Sequence, residues 1–150
     1  ISPGELEVNF YGEGPEKLNL QNIVKSLHLD KIININDYVT DVDLVFKEAD
    51  LTVFTSSYEG FGLTIIEAMA NKTPVISYNI NYGPRDIISH GEDGYLVSYG
   101  DIENLSKKIY QILFEDINIL NNFSNNAFQK VNENFTHKFA RNEWKKIIEN

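Results

Sequence analysis

Two glutamates, Glu59 and Glu67, stand with seven residues between them in the stretch SSYEGFGLTIIEAMA, residues 56–70. An ionised carboxylate in an apolar helix costs several kcal/mol unless it is solvated, paired or hydrogen-bonded, so Glu67, between Ile66 and Ala68, needs water or a partner. Gly60 and Gly62 allow close backbone approach. The free N–H groups of Phe61, Gly62 and Leu63 at a helix start would form an anion site. A phosphate held there would bring an attached sugar within reach of Glu67, one helical turn further on. The same residues also fit a plainer arrangement in which the glycines make a turn, Glu59 favours the helix dipole and Glu67 faces solvent.

Other residue sets with chemical potential are weaker. Asp41 and Asp43 form a D-x-D pair of the kind that can hold a divalent cation against a diphosphate, but the run from Thr40 to Asp43 also fits a capping box that opens a helix. The second reading is adopted, and no metal is expected. His28, His90 and His137 have no partner at metal-ligand spacing, and SHGED (89–93) reads as a surface turn. No nucleophile has an adjacent base of the hydrolase kind. Zero cysteines exclude disulfides, thiolate catalysis and cysteine-ligated zinc. A net charge of -9 argues against nonspecific binding to nucleic acid or anionic membrane, which rests on clustered Lys and Arg.

The elements that must position these residues follow from the hydrophobic pattern. The chain of 150 residues is about one domain, and 42% hydrophobic content suffices for a core. Five β-branched runs, at 6–12, 31–36, 51–56, 74–78 and 94–98, read as strands separated by helices, which implies parallel βαβ units. Helix 15–27 starts at Pro15 and puts Leu20, Ile23, Val24 and Leu27 on one face. After Gly100 only helices follow. Asp101 caps the first, with Leu105, Ile109, Ile112 and Leu113 as its buried stripe. Leu120, Phe123, Ala127 and Val131 mark the second. Thr136 caps a third, which carries Ala140, Trp144, Ile147 and Ile148. The fold class is therefore α/β: a Rossmann-like parallel sheet of about five strands flanked by helices, with three C-terminal helices. The turn at 58–62 lies at the carboxyl end of a parallel strand, where open α/β sheets place ligands. No apolar run approaches the roughly 20 residues of a membrane span, and no secretory leader is recognised.

EGFGLTIIE resembles the E-x7-E motif of retaining glycosyltransferases with the GT-B fold, and EAMANKTPVI resembles its continuation into the next strand. YGEGPEKLNLQNIVKSLHL, ADLTVFTSS, YGPRDIISHGEDGYLV and FTHKFARNEWKKII are similar in order and spacing, so the likeness covers nearly the whole chain. YGPRDII and GYLV look closest to bacterial α-glycosyltransferases that modify wall teichoic acid, poly(glycerol phosphate) or serine-rich adhesins. The resemblance implies a domain, residues 1–150, that binds a nucleotide sugar. In it Glu67 hydrogen-bonds the ribose hydroxyls of UDP, Glu59 lies beside the donor sugar as the catalytic residue, and the turn of Gly60, Phe61, Gly62 and Leu63 meets the diphosphate and the sugar. The loop NDYVT (36–40) packs on the nucleobase through backbone groups near Tyr38 and Val39, and Arg85 is a phosphate or sugar contact or else a surface ion pair. Two departures stand out: Lys72 replaces a helix-ending glycine and implies φ > 0, and Asp86 replaces a common glutamate.

The family's first strand and helix of this domain, with an Arg and a Lys that clamp the diphosphate, have no counterpart, nor has the N-terminal acceptor domain. The chain, which opens on ISPGELEV, thus reads as a fragment, inactive alone. The expectation is a donor-binding domain of an enzyme that transfers a hexose from UDP-glucose or UDP-N-acetylglucosamine, with retention, to a glycan, teichoic acid or glycoprotein acceptor. No cofactor is expected. Nor is nucleic acid or a transmembrane segment, and a homo-oligomer is compatible with the sequence. The expected location is cytoplasmic, or peripheral at the inner membrane face through the acceptor domain. The alternatives are a non-catalytic pseudo-glycosyltransferase subunit and a UDP-sugar epimerase of the same fold.

Overall fold

A computed structural model describes residues 6–149. The chain forms two compact units, which divide between Asp41 and Val42. All five expected strands are present and all are parallel, but they form two sheets, of two and three strands, one in each unit.

In the first unit, β1 (Val8–Tyr11) and β2 (Ile33–Asn36) pair in the register Val8↔Ile33, joined by α1 (Lys17–Ser26). The period-2 alternation places Asn9, Asn34 and Asn36 on one face. Their carboxamides form a ladder: Asn36 Nδ2 donates to Asn9 Oδ1 at 2.9 Å and Asn34 Nδ2 to Glu7 Oε1 at 2.9 Å. α1 ends in a Schellman turn, with His28 at φ 55° and the Leu29 N–H on the Val24 carbonyl at 3.0 Å. Of the apolar face expected on α1, only Val24 is even half-buried. Leu20, Ile23 and Leu27 are exposed, and α1 has no buried residue, because two strands supply too little apolar surface to cover a helix face.

The second unit runs α2 (Val42–Glu48), β3 (Thr52–Phe54), α3 (Leu63–Ala70), β4 (Val75–Asn79), α4 (Pro84–Ile87) and β5 (Gly94–Ser98). Then come α5 (Ile102–Tyr110), a π-helical segment Gln111–Glu115, α6 (Ile117–Asn134) and α7 (His137–Ile148). Its sheet has the order β3-β4-β5, and the central β4 is buried from Val75 to Tyr78. Val75 packs with Ile65, Met69, Ala127 and Val131 in one core. Ile76 and Tyr78, on the opposite face, pack with Tyr95, Leu105, Ile112 and Phe123 in another. α6 therefore serves both cores, Phe123 in one and Ala127 and Val131 in the other. Among the described residues no strand follows Ser98, as expected, and no helix is long and apolar enough to cross a membrane.

The expected caps form: Asp101 accepts the Asn104 N–H at 3.1 Å, and Thr136 accepts the Phe139 N–H at 3.2 Å. Asp116 caps α6 through the Asn118 N–H at 2.9 Å, after the π-helical segment breaks the register of α5. α2 begins at Val42, one residue later than a box capped by Thr40 would set it, and Asp43 accepts from Asn71 Nδ2 at 2.9 Å. Trp144, Ile147 and Ile148 of α7 are spaced as a helical stripe yet stay 64%, 68% and 77% exposed.

α3 ends in a second Schellman turn, with the Lys72 N–H on Met69 and the Thr73 N–H on Ala68. Lys72 has φ 62°, as its position in the glycine slot implied, and its ammonium lies 5.0 Å from the Phe128 ring centroid. Left-handed backbone costs a residue with a Cβ about 1–2 kcal/mol, and an exposed cation–π contact returns about 0.5–1 kcal/mol. Lys72→Gly is therefore expected to stabilise the fold by about 0.5 kcal/mol. A rise in the urea midpoint checks it, and a fall would mean that the ring contact outweighs the strain.

Candidate functional site

The candidate site is the turn between β3 and α3 together with the first turns of α3. Gly62 is the N-cap, at φ 89° and ψ 41°, and no side chain caps the helix. Its conformation and its surroundings both call for glycine, since a Cβ would stand 3.2 Å from Ile87 Cδ1 and 3.3 Å from Ile65 Cδ1. Among the described residues no acceptor meets the N–H groups of Phe61, Gly62 or Leu63. The helix start thus offers unpaired donors and the positive end of the dipole. Gly60 is different: it is exposed, with nothing within 4 Å of a Cβ position, so the fold alone does not require glycine there.

Glu67 is exposed, because α3 buries Ile65, Ala68 and Met69 and turns residue 67 to the opposite side. Water therefore solvates its charge, and the helix needs no ligand to tolerate it. Glu59 is half-buried. Neither carboxylate has a hydrogen-bond partner among the described residues. Phe61 and Leu63 expose 52% and 64% of their surfaces, with the Phe61 ring edge-on to Phe135 at 6.4 Å between centroids. Two carboxylates, three N–H groups and an exposed apolar rim thus share one turn and one helix.

A second segment presses on this turn. Gly83, at φ 86°, is the N-cap of α4, and a Cβ there would lie 2.6 Å from the Phe61 carbonyl oxygen. Asp86 Oδ2 accepts the Gly83 N–H at 3.1 Å, while the Gly83 carbonyl accepts the N–H groups of Asp86 and Ile87. Sequence reasoning noted Asp86 only as a departure and did not single out Gly83. The signal was the Gly83-Pro84 pair, an N-cap followed by proline at the first helical position. Arg85 is exposed, and its partner is the Asn81 carboxamide, not a carboxylate.

Tyr38 and Val39 belong to the first unit, in the loop after β2; Tyr38 is exposed and Val39 half-buried. Asp37, at the start of that loop, is paired with Lys17. The Lys17 ammonium beside it holds its carboxyl below the usual carboxylate range. Among the described residues no three His, Asp or Glu side chains converge to hold a metal ion.

Comparison with known proteins gives the family. The chain is 30% identical over 139 residues to the poly(ribitol-phosphate) α-N-acetylglucosaminyltransferase of Staphylococcus aureus, covering 93% of this chain and 28% of the relative. It is 30% identical over 125 residues to the poly(glycerol-phosphate) α-glucosyltransferase of Bacillus subtilis, covering 83% of this chain and 18% of the relative. The chain therefore spans less than a third of the length of either relative. Its fold matches the crystal structure of a variant of S. aureus TarM in complex with fondaparinux, α-GlcNAc-glycerol and UDP, at a TM-score of 0.87 and 30% identity. The match covers 93% of this chain and 28% of that one, and the fold is that of the C-terminal half of a GT-B glycosyltransferase. The family profile described as glycosyl transferases group 1 matches residues 4–130, and the chain belongs to that family.

Proposed function

We propose that this chain is the donor-binding part of a retaining hexosyltransferase whose donor is a UDP-hexose, glucose or N-acetylglucosamine. The observation that carries the reading is the uncapped start of α3. Three N–H groups stand there, on the same turn and helix as two carboxylates, all without hydrogen-bond partners among the described residues. Helix N-termini of this kind bind phosphate. The UDP in the TarM complex supports the choice of nucleotide.

In this reading the N–H groups of Phe61, Gly62 and Leu63 hold the diphosphate, and Glu67 accepts hydrogen bonds from the ribose hydroxyls. Glu59 stands beside the transferred sugar. Arg85 adds a cation for phosphate or sugar. The bond from the sugar's anomeric carbon to the β-phosphate oxygen breaks, and the acceptor hydroxyl forms its bond to that carbon on the same face. Its proton passes to the departing phosphate oxygen. Catalysis is then mostly positioning and stabilisation of the leaving diphosphate. The acceptor, a glycan, teichoic acid or glycoprotein, binds elsewhere in the longer protein, as does a basic clamp on the diphosphate.

A thermal-shift screen of the full-length protein tests the nucleotide. UDP-glucose or UDP-N-acetylglucosamine at about 100 times its Kd should stabilise by roughly 2.7 kcal/mol, while ADP and GDP sugars leave the midpoint unchanged. A shift with GDP or ADP sugars alone would overturn the UDP assignment. Activity is expected to survive EDTA and to gain nothing from manganese, since the diphosphate is held by N–H groups. Strict metal dependence would count against both the donor turn and the family mechanism.

A further inference from the structure

We infer that Gly83 and Asp86 are positioning residues for the donor turn, an inference that rests on the proposed donor site. The start of α3 cannot hold its own orientation by a side-chain cap, because its N-cap is a glycine. What holds it is α4. The peptide between Phe61 and Gly62 occupies the space that a side chain on residue 83 would need. A Cβ on residue 83 would stand 2.6 Å from the Phe61 oxygen, 2.9 Å from its carbonyl carbon and 3.4 Å from the Gly62 nitrogen. On the Cβ side of Gly62, Ile87 Cδ1 lies 3.2 Å and the Gly83 Cα 3.8 Å from the Cβ position. Gly83 and Ile87, at the two ends of one short helical turn, thus form a wedge against Gly62 and the adjoining peptide.

That wedge is itself fixed. Pro84 sets the backbone at the first helical position, Asp86 Oδ2 accepts the Gly83 N–H, and the Gly83 carbonyl takes two N–H groups of the same turn. Pro84 and Ile87 are buried, so α4 has a firm base. The peptide it presses on carries the Gly62 N–H, one of the donors aimed at the diphosphate, and the next N–H along is that of Leu63. Relieving a 2.6 Å contact to an ordinary van der Waals distance moves that peptide by roughly 1 Å, the scale of misplacement that can cost a hundredfold in rate. Gly83 therefore sets where the anion site points, and Asp86 keeps Gly83 in place.

The test is UDP titration and steady-state kinetics on the full-length protein. Gly83→Ala is expected to weaken UDP binding by about tenfold and to lower kcat/KM by ten- to a hundredfold. Asp86→Ala, which leaves every core residue in place, is expected to weaken UDP binding by about threefold to tenfold. Asp86→Asn keeps an acceptor for the Gly83 N–H and should restore affinity to within about twofold. Ile112→Ala, a cavity in the other core, supplies the comparison: it should lower the thermal midpoint and leave UDP affinity unchanged. If Gly83→Ala does not fold, the Asp86 pair decides. UDP binding by the wild type that Gly83→Ala and Asp86→Ala leave within about twofold would overturn the positioning role alone. No UDP binding by the wild type would overturn the donor-site reading and this role with it.

Discussion

Glu59→Ala in the full-length protein is expected to lower kcat by at least about a hundredfold while leaving UDP affinity within about threefold, and Glu67→Ala to do the reverse. The two carboxylates differ in what they can touch. Glu67 lies on the exposed side of α3, one turn past the unpaired N–H groups, where a nucleoside attached to the diphosphate would present its ribose. A charged hydrogen bond to a hydroxyl contributes about 1.5–3 kcal/mol, which is roughly a ten- to hundredfold change in UDP affinity. Glu59 lies before the glycines, half-buried, and its proposed contact is with the sugar that UDP alone does not carry. Interactions realised in the transition state appear in kcat, and uniform binding appears in KM. Titration calorimetry with UDP and steady-state kinetics separate the two. Unchanged UDP affinity in Glu67→Ala, with the fold intact by circular dichroism, would return Glu67 to a solvated helix residue.

The turn before α3 and its uncapped helix start were legible in the sequence because their geometry is local. Gly60, Gly62, the apolar run and the two glutamates lie within twelve residues, and helix-start donors follow from backbone geometry alone. The solvent-facing side of Glu67 was legible too, since Ile65, Ala68 and Met69 define a buried face that residue 67 opposes. The apolar neighbours of Glu67 argued for burial only if that face wraps around the helix. It does not, and exposure to solvent suffices for the fold to tolerate Glu67.

Long-range contacts were not legible. That Gly83 abuts the Phe61 carbonyl depends on how α4 packs against the turn, and no periodicity encodes a contact across twenty-two residues. Amphipathic spacing told which faces of α1 and α7 are apolar but not whether anything covers them; in this chain Leu20, Ile23, Trp144 and Ile148 stay exposed. The break after Tyr110 was invisible for a different reason. A π-helical segment keeps the apolar residues Ile112 and Leu113 on schedule for one more turn before the register fails. In SHGED, the expectation of a surface turn holds for His90, Gly91 and Glu92, but Asp93 is buried, and its partner lies thirty-seven residues away on α6.

That partner carries the second large expected effect. The Asp93 side chain is 5% exposed, and Lys130 Nζ reaches its Oδ2 at 2.6 Å. The other oxygen accepts the Ser89 N–H at 2.8 Å. Lys130 also donates to Ser89 Oγ at 2.9 Å and to the Ile87 carbonyl at 2.5 Å, so all three of its ammonium protons are used. Asp93→Ala leaves the Ser89 N–H without its acceptor and the ammonium without its counter-charge. Breaking a buried pair costs about 3–5 kcal/mol, and because Lys130 keeps 23% exposure and can recruit water, the expected loss is about 2–4 kcal/mol. Lys130→Met retains the apolar stem but orphans the carboxylate, at a similar cost. The double variant Asp93→Ala/Lys130→Met removes both charges together, so it should cost about 1–3 kcal/mol less than the sum of the single changes. Urea denaturation of the four proteins measures the cycle. A double variant whose cost equals that sum would mean that Lys130 ties α6 to the segment before β5 through its carbonyl and hydroxyl contacts and not through the ion pair.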